Sequence, residues 1–132
     1  MPEVNWLAVI AAAVLSFFVG GLWYSPVMFM KAWQRDAGVT DAQLQSGNPL
    51  KIYGVGLVLA LIAAAVFAMF LGPKPEVGFA TSAGFAAGLC WVATSFGINY
   101  LFERKSLTLF LVNGGYHTLQ FTLIGLVLGL WH

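Results

Sequence analysis

Charge is what this sequence has least of. Six Lys and Arg and five Asp and Glu make up 8% of its 132 residues, whereas a soluble domain carries roughly 25% charged residues. Because 60% of the residues are hydrophobic, a single core of this size leaves too much apolar surface for a water-soluble protein. The net charge of +1 also lacks the basic excess that indicates nucleic-acid binding.

The residues of enzyme chemistry are scarce as well. Cys90 is the one cysteine, so an intramolecular disulfide is excluded. No carboxylate falls within the long apolar runs, and no spacing typical of a metal site occurs. Ser16, Cys90 and His117 are a possible nucleophile and base, but nothing in the sequence orients them. We therefore expect a non-enzymatic protein with no catalytic residues, no metal site and no cofactor.

What the sequence does have is four charge-free apolar runs, at about residues 6–30, 52–71, 78–102 and 107–131. Each is long enough for a helix to cross about 30 Å of hydrocarbon, and a helix pairs every backbone group within its own segment. We predict one all-α domain over residues 1–132, an integral membrane four-helix bundle. Thr40 in the first loop predicts the N-cap of a short amphipathic helix at 40–45.

The basic residues predict the orientation. With four spans, the loops at 31–51 and 103–106 lie on the same side of the membrane, and Lys74 lies on the other. Lys and Arg concentrate in cytoplasmic loops. The prediction is therefore that these two loops are cytoplasmic and that both termini are outside. The five basic residues of the two loops are Lys31, Arg35, Lys51, Arg104 and Lys105.

Small residues spaced four apart predict where the helices pack, because helices in lipid associate through close approach of their backbones. The same stripes suit contact with further chains, so we expect a homo-oligomer or association with other membrane subunits, beside contact with membrane lipid. The predicted packing residues are Gly56, Ala60, Ala64, Gly84, Gly88, Gly125 and Gly129.

The last apolar run carries an unexpected polar stretch, LVNGGYHTLQFTLIG. Asn113, His117 and Gln120 follow the spacing i, i+4, i+7 and share one helix face, with Tyr116 beside it. His117 lies about 15 Å from the start of the span, near mid-membrane. Ionisable residues inside a membrane usually face the protein interior or a wet cavity.

Polar residues of the other spans fall at compatible depths. Ser95 and Asn99 share a face with Gly84 and Gly88, and we expect the polar stretch to face Ser95, Asn99 or Ser16. The candidate ligand-binding or solute-binding residues are Asn113, Tyr116, His117, Gln120, Asn99, Ser95, Ser16 and Tyr24.

Three roles for His117 are open at this point. A neutral buried imidazole hydrogen-bonded to an amide or a hydroxyl fixes the register of the helices. A histidine also titrates near neutral pH and suits a proton or solute site. As a third alternative it is the axial ligand of a haem or a chlorophyll-type pigment.

The most distinctive stretch is residues 21–40, GLWYSPVMFMKAWQRDAGVT, with its Trp-Tyr-Ser-Pro element. Together with Asn5, Asn99 and the Asn-Gly-Gly-Tyr element of the last span, it resembles the bacterial membrane-protein family called domain of unknown function seventeen sixty-one. The resemblance covers nearly the whole chain. It implies a small four-span protein of the bacterial inner membrane and supplies no activity, substrate or catalytic residue.

The sequence thus predicts a non-enzymatic membrane protein with a polar cavity open toward the cytoplasmic side, which binds or passes a small solute or a proton. The alternative is a structural or accessory subunit of a larger membrane complex. A pigment-binding or haem-binding protein is a further alternative.

Overall fold

The computed structural model describes residues 4–132. Helices make up 81% of the chain and the described residues contain no strand, which confirms the all-α class. Residues 1–3, with which the predicted domain 1–132 begins, lie outside the described part.

The first long helix is shorter than the first apolar run. Helix α1 spans Trp6–Trp23 and is capped by Asn5, whose side-chain oxygen accepts from the amide of Ala8 at 3.1 Å. It ends seven residues before the end of the run, because the residue before Pro26 is disfavoured in a helix and Pro26 lacks an amide proton. The chain then turns into a second helix, α2 (Met30–Ala37), in a stretch that was expected to be loop.

Two further helices follow with well-formed caps. Helix α3 spans Asp41–Ser46, and its N-cap Thr40 forms a reciprocal capping box with Gln43. The short helix predicted at 40–45 is therefore present, shifted by one residue. Helix α4 spans Pro49–Leu71, with the Asn48 side chain accepting from the first free amides of the helix. Side-chain oxygens at these positions satisfy amides that have no partner within the helix.

The second half of the chain holds two long rods. The first comprises helix α5 (Val77–Ala87), a π-helical segment (Gly88–Ala93) and helix α6 (Thr94–Glu103). The second is helix α7 (Leu107–Leu130), which starts at the Ser106 N-cap after a tight turn. The short connection makes the two rods antiparallel neighbours.

Three helices of the described residues are long and apolar enough to cross a membrane: Trp6–Trp23, Pro49–Leu71 and Val77–Phe102. Helix α7 has 24 residues and is about 36 Å long, yet it is not among these three. Its amides and imidazole lower its mean hydropathy. Helix α7, the most polar of the long helices, also has more buried residues than α1 or α4.

Helix α7 is the central element of the packing. Helices α1 and α5 lie on opposite sides of α7, and α4 packs mainly on α1, with Phe67 placing its ring edge-on to Phe121 of α7. Ile124 and Ala64 are fully buried in this core. Large apolar side chains on the outer faces of α1 and α4 stay exposed, as expected where a helix faces lipid.

Glycine brings α5 and the π segment against α7. A Cβ atom at Gly84 would overlap the backbone of Phe121, and one at Gly88 would lie 2.6 Å from the carbonyl oxygen of His117. The same seam contains Gly125 and Gly129 on α7. The predicted packing residues of α4 lie mostly against α1: Ala60 and Ala64 are buried, and Gly56 faces Phe17.

Candidate functional site

Asn113 connects three helices through its side-chain amide. The Tyr24 hydroxyl, at the end of α1, donates to Oδ1 of Asn113 at 2.5 Å. Nδ2 of Asn113 donates to the Tyr100 hydroxyl of α6 at 2.7 Å. An amide has both an acceptor and donors, so this one residue of α7 ties α1 and α6 to it.

Tyr116 extends the cluster toward the middle of α1. Its hydroxyl donates to the backbone oxygen of Ser16 at 2.9 Å, and Gly20 makes room, since a Cβ atom there would lie 2.8 Å from that hydroxyl. Ser16 is fully buried, but its own hydroxyl donates to the carbonyl of Ala13 at 2.9 Å. Ser16 therefore contributes its backbone, not its side chain, to the cluster.

His117 and Gln120 form the inner part of the cluster. Nδ1 of His117 lies 2.7 Å from Oε1 of Gln120, which is 7% exposed. The imidazole is stacked on Phe96, with ring centroids 5.1 Å apart and planes at 11°, and Tyr116 lies 5.0 Å away. A carbonyl oxygen accepts a hydrogen bond, so Nδ1 carries the proton in this arrangement and Nε2 is an acceptor.

Nε2 of His117 takes part in no hydrogen bond of the cluster. It has no hydrogen-bond partner among residues 4–132. No side-chain nitrogen or oxygen that is fully buried in this part of the chain lacks a partner, so Nε2 retains some accessible surface. The side-chain nitrogen of Gln120 likewise has no partner among these residues, whereas the side chains of Tyr24, Tyr100, Asn113 and Tyr116 each take part in a hydrogen bond.

Of the three residues that the polar stretch was expected to face, Ser16 lies in the cluster, whereas Ser95 and Asn99 do not. Both are exposed, and the Ser95 hydroxyl donates to the carbonyl of Trp91 on its own helix at 2.7 Å. The cause is the π segment. The small residues Gly84, Gly88, Ala93 and Gly97 of this rod lie against α7, so the step across the segment is five residues instead of four.

The extra residue turns a different face of α6 toward α7. A π turn advances the chain by one residue relative to an α-helix. Phe96 and Tyr100 thereby replace Ser95 and Asn99 opposite His117 and Asn113. The Thr94 hydroxyl, which donates to the carbonyl of Cys90 at 2.6 Å, compensates for helix hydrogen bonds that the π segment disturbs.

Sequence reasoning missed Phe96 and Tyr100 as members of the cluster. Tyr100 has a recognisable signal, since it is an aromatic residue with a polar group near the end of a span. Phe96 has none without the π segment. Trp23 was also missed: its indole Nε1 donates to the carbonyl of Val112 at 2.9 Å and anchors the end of α1 to α7.

The segment after α1 covers the same end of α7. Trp33 of α2 contacts the Tyr24 ring at a centroid distance of 6.0 Å. Oδ2 of Asp36 accepts from the Ser106 hydroxyl at 2.6 Å, and its Oδ1 accepts from Nε of Arg35 at 2.9 Å. The hydrogen bond from Ser106 and then that from Arg35 hold the pKa of the Asp36 carboxyl below its usual range.

The face of α7 that points away from Asn113, His117 and Gln120 is apolar. A groove of about 500 Å³ runs between Trp23, helix α5 with the π segment, and α7, over Gly114 and Gly115. Thr118 and Thr122 border it, but their hydroxyls donate to carbonyls of α7 itself, at 2.8 and 2.7 Å. The described residues contain no group of three or more His, Cys, Asp or Glu side chains placed to hold a metal ion.

Residues 7–129 match the family described as "Protein of unknown function (DUF1761)". The chain belongs to this family. The match confirms the resemblance found in the sequence, and it covers every member of the polar cluster. Comparison with curated proteins and with solved structures gave no match.

Proposed function

We propose that this DUF1761 protein is a non-enzymatic protein of the bacterial inner membrane in which His117 binds or passes a proton or a small polar solute. In this proposal α1, α4, the α5–α6 rod and α7 all span the membrane, and both termini are outside. The support for this orientation is the concentration of five of the six basic residues in the loops at 31–51 and 103–106.

The observation that carries the proposal is the free Nε2 of His117. The residue lies ten positions into α7, about 15 Å along its axis. Around it, the hydroxyls of Tyr24, Tyr100 and Tyr116 are engaged with other groups. Intramembrane ionisable residues are a default site hypothesis when they face the protein or a wet cavity.

The same geometry restricts what is bound. Nε2 is an acceptor when Nδ1 donates to Gln120, so the bound species brings a proton or an N–H or O–H donor. The stacked Phe96 ring and the neighbouring Tyr116 ring flank the imidazole with apolar surface. We therefore favour a proton, or a solute that makes a single hydrogen bond, over a larger polar solute.

The test is proton flux through the purified full-length protein in liposomes, read by a pH-sensitive dye in the lumen under an imposed pH gradient. We expect the wild type to dissipate the gradient and His117→Ala to abolish that flux. If His117→Ala does not fold, His117→Phe preserves a ring to stack on Phe96 and removes both nitrogens.

Thr118→Val is the matched control. Thr118 is the next residue on the same helix but borders the apolar groove, and its hydroxyl bonds only to its own helix. This variant is expected to conduct like the wild type. Equal flux in His117→Ala and wild type, or no flux above protein-free liposomes in the wild type together with no small-molecule adduct in native mass spectrometry, contradicts the proposal.

A structural or accessory subunit is the second candidate, and the apolar groove favours it. The groove is lined by side chains and glycines but offers no free hydrogen-bonding group, since its hydroxyls bond to α7. Such a surface suits an apolar helix of a second copy or of another membrane subunit. Leu119→Trp fills the groove and is expected to separate such an assembly in native mass spectrometry without changing His117.

Axial ligation of a haem or a chlorophyll-type pigment is the third candidate. It uses the same free Nε2 and predicts an absorbance band in the purified protein that His117→Ala removes.

A further inference from the structure

A second candidate site lies at the turn between α6 and α7; it shares Tyr100 with the cluster around His117 and extends past the end of α6. An open pocket of about 570 Å³ is lined by Tyr100, Leu101, Phe102, Arg104 and Lys105. The apolar segment long enough to cross a membrane ends at Phe102. The pocket therefore straddles the end of a span, with an apolar wall on the membrane side and two cations immediately beyond it.

The apolar wall faces outward. Leu101 is 78% exposed and Phe102 is 84% exposed, among the highest values for large apolar side chains in this protein. At the edge of a hydrocarbon layer, such side chains contact acyl chains close to the headgroups. Aromatic residues are enriched at this depth.

The two cations are free to bind an anion. The single ion pair within residues 4–132 joins Arg35 to Asp36, so neither Arg104 nor Lys105 has a carboxylate within 4.0 Å. An exposed guanidinium presents a planar fork of N–H groups that matches phosphate oxygens in pairs, and an ammonium adds a point charge.

The backbone at Arg104 is unusual. Its φ of 60° and ψ of 35° are left-handed, in the position after a helix where glycine is the common residue. The turn closes with the Lys105 amide donating to the carbonyl of Tyr100 at 2.9 Å. A non-glycine residue in this conformation carries backbone strain, which is a reason to look for a function of its side chain.

Nearby carboxylates favour a lipid over a free anion. Glu103 precedes Arg104, and Asp36 bonds to Ser106 just after Lys105 at 2.6 Å. These negative charges weaken the attraction for a free phosphate ion. A ligand that also covers Leu101 and Phe102 gains apolar contact that a free ion lacks.

We propose that this pocket binds an anionic phospholipid. Arg104 and Lys105 contact the headgroup phosphate, and Leu101 and Phe102 contact the part of the acyl chains nearest the headgroup. Basic pockets at the cytoplasmic ends of membrane helices are known to select anionic lipid headgroups. The proposal is independent of what His117 binds.

The experiment is native mass spectrometry of the full-length protein in mild detergent, titrated with phosphatidylglycerol or with phosphatidylcholine of the same acyl chains. The wild type is expected to retain phosphatidylglycerol in preference. Arg104→Gln with Lys105→Gln is expected to lower that preference by about tenfold or more. The matched control, Lys31→Gln with Lys51→Gln, removes the same charge from the other basic loop and is expected to keep the preference.

The variant Arg104→Gly distinguishes a loss of lipid binding from a loss of folding stability. Glycine adopts the left-handed turn without strain, so the temperature of unfolding is expected to stay the same or rise while phosphatidylglycerol binding falls. Full binding by Arg104→Gly, or an equal loss in both double variants, overturns the site, since either result shows only general attraction between charges. Displacement of the lipid by millimolar inorganic phosphate overturns the lipid assignment in favour of a free-anion site.

Discussion

The two halves of α7 are held to their neighbours in different ways. In the first half, up to His117, side chains make the connections: Asn113 bonds to Tyr24 and Tyr100, and Tyr116 bonds to the backbone of α1. In the second half, backbones touch. Gly125 lies against Ala80, and a Cβ atom at Gly129 would be 2.7 Å from Cα of Val77.

The difference shows what separates the helices in each half. Bulky rings occupy the space between α6, α1 and α7 in the first half, so the backbones stay apart and polar groups provide the specific contacts. In the second half α5 approaches α7 until no side chain fits between the two backbones, and dispersion contacts suffice there. The imidazole with a free nitrogen lies at the end of the first half, where side chains fill the space between the helices.

The largest expected effect comes from a side chain placed in the close seam. In Gly125→Leu the new Cβ would overlap the carbonyl oxygen of Ala80, which is backbone and cannot move aside cheaply. We expect a loss of roughly 3 kcal/mol or a failure to fold, measured by thermal unfolding in detergent. Gly21→Leu is the control, because nothing lies within 4 Å of a Cβ atom there. Equal stability of the two variants would show that the seam is not tightly packed.

A smaller effect is expected in the hydrogen-bonded half. Asn113→Ala removes the bonds to Tyr24 and Tyr100, and interhelical hydrogen bonds in membranes contribute about 0.6 to 1.7 kcal/mol each. We expect a loss of about 1–2 kcal/mol in the same unfolding measurement. Tyr100→Phe removes one bond and retains the ring, so it should lose about half as much. A larger loss from Tyr100→Phe than from Asn113→Ala contradicts the assignment of Asn113 as the connecting residue.

The smallest expected effect is a change in how stability depends on pH, and it arises at the N-terminus of α5, near the glycine seam. The amides of Gly78 and then Phe79 donate to the Glu76 carboxylate at 2.8 Å each and hold its pKa below the ordinary value of 4.5. A depressed pKa means that the stabilisation is present above pH 4.5 and disappears as the pH falls through the lowered value.

Glu76→Gln is therefore expected to unfold at a lower temperature than the wild type at pH 7, and the gap should close toward pH 3. Glu103→Gln makes the same charge change at the exposed end of α6 and serves as the control for net charge. A gap for Glu76→Gln that stays constant over this range rules out the cap as its origin.

Much of the fold is predictable because its signals are local. The charge-free runs indicate the long helices, and Thr40 and Asn48 mark the starts of α3 and α4. The Pro26 region marks a boundary, but the sequence does not show that α1 ends at Trp23 before it. Helix α2 was missed, since its mixture of charged and aromatic residues lies outside any apolar run.

The candidate site is less predictable, because its second half depends on the number of residues in one turn. Regular helical spacing places Ser95 and Asn99 with Gly88, and the π segment moves Phe96 and Tyr100 into that position. Nothing in the stretch GLCWVA signals this change. Asn113, Tyr116, His117 and Gln120 lie on a single regular helix, so their shared face follows from spacing alone.

The π segment also has a consequence for chain length. The π segment contains one residue more than a regular α-helix would use to cover the same distance. Removal of one residue between Gly88 and Ala93 would therefore restore a regular helix. Both ends of the rod would still present the same residues to α7, with Gly84 at one end and Tyr100 at the other. This is the one stretch of the rod where a single-residue deletion leaves all downstream contacts in register, whereas the same deletion in α7 would rotate the polar cluster away from its partners.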